Sequence, residues 1–297
     1  MSKLIVVLGV LGASFSAIFV RFATAPSVVL VVYRMLFAVV VLFPIMLLKH
    51  REELKWLARW DVFLCICSGC FLGLHFLTYF ESLRYTDVAS SVTLVDMEVF
   101  FVALGARFLT GEHISRKGWI GIVAVFFGSV IITLGGARGG SNPLRGDLLA
   151  LVGAFFVACY TMLGKIVRSR LSTTVYTTIV YAAGTLTVLI AALWKQVPLV
   201  GYGSRNLLCG LGLAVFCTLL GHSIFSWALK YETAAFISAA KLLEPVYSSI
   251  MAVFLFQEVL TLQTGIGAVI IIGGILYYVR HPATQLAQIV SPAEEKL

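Results

Sequence analysis

The chain reads as a succession of long apolar runs separated by short polar stretches. Ten such runs occur, at roughly 4–22, 28–48, 62–81, 87–109, 117–135, 148–167, 174–194, 206–229, 233–256 and 262–280. A helix that crosses ~30 Å of hydrocarbon needs about 20 apolar residues. The runs are continuous and show no alternation of period two, which predicts helices and excludes the strands of a membrane barrel. The pattern therefore predicts an all-α integral membrane protein with ten transmembrane helices. Two runs, 87–109 and 233–256, are unusual in carrying charge at mid-depth.

Composition narrows the class. Hydrophobic residues make up 60% of the 297 and charged residues only 12%, about half the charge of a typical soluble chain. This excludes an ordinary soluble enzyme, a disordered chain and a nucleic-acid reader. The net charge of +8 is explained by the loops. Of the Lys and Arg other than Arg34 and Lys241, fourteen fall on the side that holds both termini and six on the other. Basic residues collect in cytoplasmic loops, so both termini are expected in the cytoplasm and the protein in the cell (inner) membrane. The first run lacks a small-residue cleavage site and is expected to be retained. All six cysteines lie within runs. Cys65-x-Cys67-x-x-Cys70 has the look of a metal motif, but Cys65 points away from the face shared by Cys67 and Cys70, so these read as small packing residues. No cofactor or metal is expected.

The chain also repeats itself. A shift of 146 residues lays Ser82–Gly128 on Ala228–Gly274 without a gap, with twelve identities that include Tyr85/Tyr231, Glu98/Glu244, Glu112/Glu258, Gly121/Gly267 and Gly128/Gly274. The unit spans five runs. Five is odd, so the second copy must enter the membrane from the opposite side, as in carriers that bind substrate where two inverted halves meet. The expected division is a first repeat at 1–136, an external linker at 137–147, a second repeat at 148–281 and a cytoplasmic tail at 282–297. The glycine-rich joint Gly135-Gly136-Ala137-Arg138-Gly139-Gly140 lacks the Gly-Lys-Ser/Thr ending of a phosphate loop.

The same residues carry a family resemblance. Leu243-Glu244-Pro245-Val246, then Phe256-Gln257-Glu258 and Gly265-x-Gly267, resemble the second-repeat signature of the EamA family of the drug/metabolite transporter superfamily. Gly146-Asp147-Leu148-Leu149-Ala150-Leu151 and Arg34 fit the same pattern. The resemblance implies ten helices in two inverted EamA repeats and transport of a small metabolite. One departure is Asp96-Met97-Glu98-Val99, where many relatives carry a proline. That predicts a straighter helix there than at Pro245, which removes a backbone donor and can kink its span.

Charges inside the runs are the candidate chemistry. A charge at the bilayer centre costs about 2.5–3.5 kcal/mol on insertion scales, so Asp96, Glu98, Lys241 and Glu244 must face protein, water or one another. Lys241 and Glu244 are three apart and can pair along one helix. Asp96 and Glu98 diverge by ~200° and cannot share a narrow cavity unless their helix bends or unwinds. Arg34 either snorkels or anchors a carboxylate. His75 shares a helical face with Tyr79, and His222 sits one residue from the position symmetric to His75; each is a structural hydrogen-bonding group or a substrate contact. The expected substrate-binding set is Arg34, His75, Tyr79, Asp96, Glu98, His222, Lys241 and Glu244, with Pro245 as helix break. Glu81 is expected to be solvated, and Glu112 and Glu258 to act as caps or loop anchors.

These readings converge on a secondary transporter that moves a small polar metabolite, an amino acid or similar zwitterion, by alternating access. Protons are a possible coupling ion, and a monomer is expected. A flippase for lipid-linked substrates or a drug exporter of the same fold is the alternative, and a membrane-embedded enzyme a remote one, because no His-Glu-x-x-His or Gly-x-Ser-x-Gly constellation is present.

Overall fold

The computed structural model describes residues 1–82, 84–86, 88–109, 111–134, 141–256, 261–281 and 284–285. Nearly all of them are helical: α1 (Ser2–Phe22), α2 (Ser27–Lys49), the short α3 (Arg51–Lys55), α4 (Arg59–Ser82), α5 (Val88–Val95), α6 (Glu98–Leu109), α7 (Arg116–Leu134), α8 (Pro143–Arg168), α9 (Thr173–Trp194), α10 (Gly203–Gly212), a π-helical segment (Leu213–His222), α11 (Ser223–Ala228), α12 (Ala234–Lys241), α13 (Glu244–Phe256) and α14 (Leu262–Arg280). Two short strands, β1 (Glu112–His113) and β2 (Thr284–Gln285), pair antiparallel. The glycine-rich joint at 135–140, Gln257, Glu258 and the tail from 286 onward lie outside the described residues.

Among the described residues, eight stretches are long and apolar enough to cross a membrane: Ser2–Val20, Ser27–Lys49, Arg59–Ser82, Pro143–Arg168, Thr173–Trp194, Gly203–Ala228, Ala234–Leu255 and Leu262–Arg280. The remaining two apolar runs are also helical, as α5 with α6 and as α7. α8 starts earlier than its apolar run. Pro143 sits in its first turn, where no amide donor is needed, and the Asn142 side chain accepts from the Arg145 amide at 3.3 Å. Large apolar side chains point outward along the bundle: Leu48, Phe108, Trp194 and Phe254 are each more than three-quarters exposed. Such a surface suits a lipid environment and would aggregate in water.

Helix pairing follows the 146-residue register. α1 and α8 end at Phe22 and Arg168, and the breaks between half-helices fall at Asp96-Met97 and Leu242-Leu243. α4 packs on α8 and α9, as the π-helical segment packs on α1 and α2; α7 packs on α14, its own repeat partner. The α7–α14 contact is built on matched glycines. A Cβ at Gly128 would meet the Gly267 carbonyl at 2.9 Å, and one at Gly267 would meet the Gly128 carbonyl at 2.7 Å; Gly121 and Gly274 approach in the same manner. Small residues let backbones come this close where no water drives association.

Gly69 plays the same part between α4 and α9. A Cβ there would lie 2.3 Å from the Val180 carbonyl oxygen, a backbone atom that cannot swing aside. Gly69→Val is therefore expected to separate α4 from α9 and to lower Tm by roughly 10 °C or to abolish the monodisperse folded species, at an overpacking cost of about 1–3 kcal/mol or more. Size-exclusion profiles and thermal unfolding in detergent measure this.

Candidate functional site

The site is built from broken helices. α5 ends at Val95 and α6 begins at Glu98; α12 ends at Lys241 and α13 begins at Glu244. Both breaks are tight turns closed by equivalent bonds. Met97 N–H donates to Leu94 O at 3.2 Å and Phe100 N–H to Met97 O at 3.0 Å; Leu243 N–H donates to Ala240 O and Val246 N–H to Leu243 O, both at 3.0 Å. The expectation of a straighter first-repeat helix is corrected: α5–α6 breaks without a proline. The backbone tightens there to bonds three residues apart, which need no proline, and Asp96 and Glu98 keep to opposite sides with different partners. Pro245 occupies the first turn of α13, where a missing donor costs little.

Glu98 accepts four contacts. Lys241 donates at 2.9 and 3.2 Å to its two carboxylate oxygens, Ser238 of α12 donates at 3.0 Å and Thr161 of α8 at 3.1 Å. The ion pair is about nine-tenths buried on both partners. Such a pair is stable only when its remaining lone pairs are satisfied, and the two hydroxyls do that. Asp96 turns the other way and accepts from the Ser129 hydroxyl of α7. Lys241 thus pairs across the bundle with Glu98 and not with Glu244. The turn at Leu242-Leu243 places Lys241 and Glu244 on separate half-helices, so three-residue spacing no longer makes them neighbours.

Arg34 neither snorkels nor bridges to Asp96 or Glu98. It is buried on α2; its Nε donates to Thr218 Oγ1 at 3.2 Å, and its guanidinium lies 4.1 Å from the centroid of Phe76. Among the described residues, its two terminal amino groups have no hydrogen-bond partner. Thr218 is presented by the π-helical segment, a form that recurs at functional sites. Its hydroxyl donates to Leu213 O, five residues back, and Tyr181 and Ser223 donate to its carbonyl. His222, one π-turn onward, rests against Phe76, Tyr160 and Phe225 with ring centroids 5.4–6.1 Å away, and its buried Nδ1 has no hydrogen-bond partner among the described residues.

His75 Nδ1 faces the Gly153 carbonyl at 3.0 Å. A carbonyl only accepts, so Nδ1 carries the hydrogen and Nε2 is left as the acceptor of the neutral ring. The ring stacks on Tyr79 at 6.0 Å. Tyr79 lies within electrostatic range of Glu244 and Asp96, and Glu244 within range of Lys241, Glu98 and Arg34. Glu244 is half-buried and accepts no hydrogen bond from any described residue. All eight expected residues thus fall in one interior region; of the charged ones, Asp96, Glu98 and Lys241 bond to protein side chains, whereas Glu244 and the terminal amino groups of Arg34 have no hydrogen-bond partner among the described residues.

Sequence reasoning missed the hydroxyls. Thr161, Ser238, Thr218 and Ser129 complete the site, and nothing in local spacing marks them out among the other Ser and Thr of the apolar runs. It also missed Lys165 and Arg168, which look like loop charges at the end of a run and are in fact buried. Glu112 is a cap, as expected: it accepts from the Ala234 and Ala235 amides at 3.0 and 3.5 Å. Glu81 is partly exposed and lies 3.6 Å from Arg84 and 3.8 Å from Lys195. The cysteines Cys65, Cys67 and Cys70 are free thiols.

Comparison with known proteins places this arrangement. The model of the EamA-like transporter family matches residues 1–134 and again 144–280, nearly the whole chain. The chain belongs to that family. As an EamA-like transporter it is a multi-pass membrane protein that carries a small molecule and is not an enzyme. It is 27% identical over 66% of its length to an uncharacterized transporter of Archaeoglobus fulgidus, covering 68% of that protein. It is 29% identical over 63% of its length to a probable amino-acid metabolite efflux pump of Salmonella typhimurium, covering 65% of it. A solved crystal structure superposes with a TM-score of 0.77 at 20% identity, over 93% of this chain and 95% of that one, which shows the shared fold. In this EamA-like transporter the two matched segments meet at the broken helices, where Glu98 of the first contacts Thr161, Ser238 and Lys241 of the second.

Proposed function

We propose that this transporter carries a small zwitterionic metabolite, an amino acid or similar compound, by alternating access between two inverted five-helix repeats. The observation that carries the reading is the pair Arg34 and Glu244. They bear opposite charges, feel one another, and have no ion-pair partner among the described residues. A guanidinium offers a planar fork that matches a carboxylate, and a carboxylate accepts from an ammonium. One small molecule with both groups would satisfy both residues, and His75 Nε2 and the Tyr79 hydroxyl add further polar contacts. The Salmonella typhimurium relative, a probable amino-acid metabolite efflux pump, agrees with this class.

The inverted arrangement is supported by the register. Half-helix breaks, glycine contacts and helix ends all recur 146 residues apart, and five runs per unit invert the second copy. The division at 1–136, 137–147, 148–281 and 282–297 follows, with both termini cytoplasmic and the bundle in the cell membrane as a monomer. The test is uptake of a radiolabelled mixture of the protein amino acids into liposomes containing the full chain. Uptake above empty liposomes is expected. Arg34→Lys keeps the charge but loses the fork, and is expected to reduce uptake by roughly tenfold through a raised KM; an unchanged KM would remove Arg34 from the substrate's carboxylate.

A further inference from the structure

A second charged cluster sits away from this site, at the end of the bundle that carries Ser2. Lys165, at the last turn of α8, is buried, yet its ammonium meets mostly neutral partners. It donates to the Leu229 carbonyl at 3.0 Å and the Glu232 carbonyl at 2.6 Å, with Glu112 Oε1 3.9 Å away. Glu112 is 1% exposed and caps the first amides of α12. Beside them Arg168 donates to the Ser226 carbonyl at 2.8 Å, and Ser2 of α1 donates to the Glu232 carboxylate. Burying this much charge is expensive, and none of it reaches the central site.

The cluster ties down the start of α12. α12 has eight residues, a rod about 12 Å long. Glu112 and Lys165 hold its start and the turn before it, and its far end presents Ser238 and Lys241 to Glu98. The two cations of this cluster are not repeated in the other half. In the repeat register Lys165 and Arg168 correspond to Phe19 and Phe22, and Phe19 packs in a ring cluster with Phe15 and Phe216. Among the described residues, buried cations at the Ser2 end thus stand where packed rings stand in the other half.

We propose that Glu112 and Lys165 form the latch of the gate at the Ser2 end, and that they act as positioning residues for Lys241 through α12. This rests on the alternating-access reading above. With the latch closed, α12 is seated and the Lys241–Glu98 clasp is made. Opening that end requires Lys165 to leave the 229–232 turn and the α12 amides to leave Glu112. Both movements displace α12 as a unit, so the clasp at its far end loosens with them. The hydrogen bonds lost on opening are charge-assisted, so the closed state dominates at rest.

The test reads access and needs no substrate. Ser238→Cys places a thiol at the clasp. The full chain is reconstituted in liposomes, vesicles with the N-terminus outside and inside are separated, and a membrane-impermeant maleimide is added externally. Modification at position 238 is followed by peptide mass spectrometry, so the native cysteines stay in place. Glu112→Gln, and independently Lys165→Met, should speed labelling from the N-terminal face by about tenfold and leave the opposite face within about twofold. No acceleration from the N-terminal face, or an equal rise from both faces, would overturn the latch. If one variant does not fold, the other decides. Amino-acid uptake by the parent protein is measured separately, so failure of the substrate reading and failure of the latch give different results.

Discussion

Glu244→Gln stops transport while the protein still folds. Glu244 opens the first turn of α13 and accepts no hydrogen bond from the described residues, so loss of its charge breaks no hydrogen bond among them. Gln keeps the shape and can still accept a hydrogen bond, but no longer attracts an ammonium. A charge-assisted bond is worth about 1.5–3 kcal/mol, which corresponds to a fall in uptake of roughly 10- to 150-fold. Tm should stay within a few degrees. If substrate and proton exchange at this carboxylate, the variant also loses the pH dependence of uptake. Wild-type uptake and pH profile in a folded Glu244→Gln protein would leave Glu244 without a role in the cycle.

Lys241→Met has the opposite profile: it damages the fold. Glu98 would keep the Thr161 and Ser238 hydroxyls but lose the ammonium that neutralises it, in a position that is about nine-tenths buried. Breaking a buried pair by removing one partner costs about 3–5 kcal/mol. The expected result is a large drop in Tm and in the yield of monodisperse protein. Removing both charges, as Glu98→Gln with Lys241→Met, should recover much of that stability, because the cost comes from the orphaned carboxylate more than from the absent attraction. A double variant as unstable as the sum of the two single variants would show that the pair does not act as a unit.

These two outcomes separate residues that the sequence could only group. Depth in the membrane was legible, because a run of about 20 apolar residues with a charge near its middle needs no structure to be unusual. The repeat was legible through Glu98/Glu244 and the glycine pairs, and the half-helix breaks at Asp96-Met97 and Leu242-Leu243 fall in that register. Which charges pair was not legible. Spacing along a continuous helix suggested Lys241 with Glu244, but the chain is not a continuous helix there, and the partner arrived from a position 143 residues away. The break at Asp96-Met97 was not legible, because a bend there was only one way to place two diverging carboxylates and no proline marked it. Lys165 was missed for a different reason. A basic residue at the end of an apolar run reads as a loop charge, and only the packing of α8 against the turn after α11 reveals that two carbonyls bury it.

The central claim is that Arg34 and Glu244 hold the two ends of one zwitterion. The most direct measurement is the thermal shift of the purified full-length protein with each protein amino acid, then with the N-acetyl and methyl-ester derivatives of the best ligand. A ligand that binds the folded state alone stabilises it by RT ln(1 + [L]/Kd), about 2.7 kcal/mol at a hundredfold excess over Kd. At least one amino acid should raise Tm by several degrees, and both derivatives, each lacking one charge, should give a much smaller shift; Arg34→Lys and Glu244→Gln should each cut the shift of the parent compound by about half or more. Equal stabilisation by the zwitterion and its two blocked derivatives, or an undiminished shift in both variants, would contradict the claim.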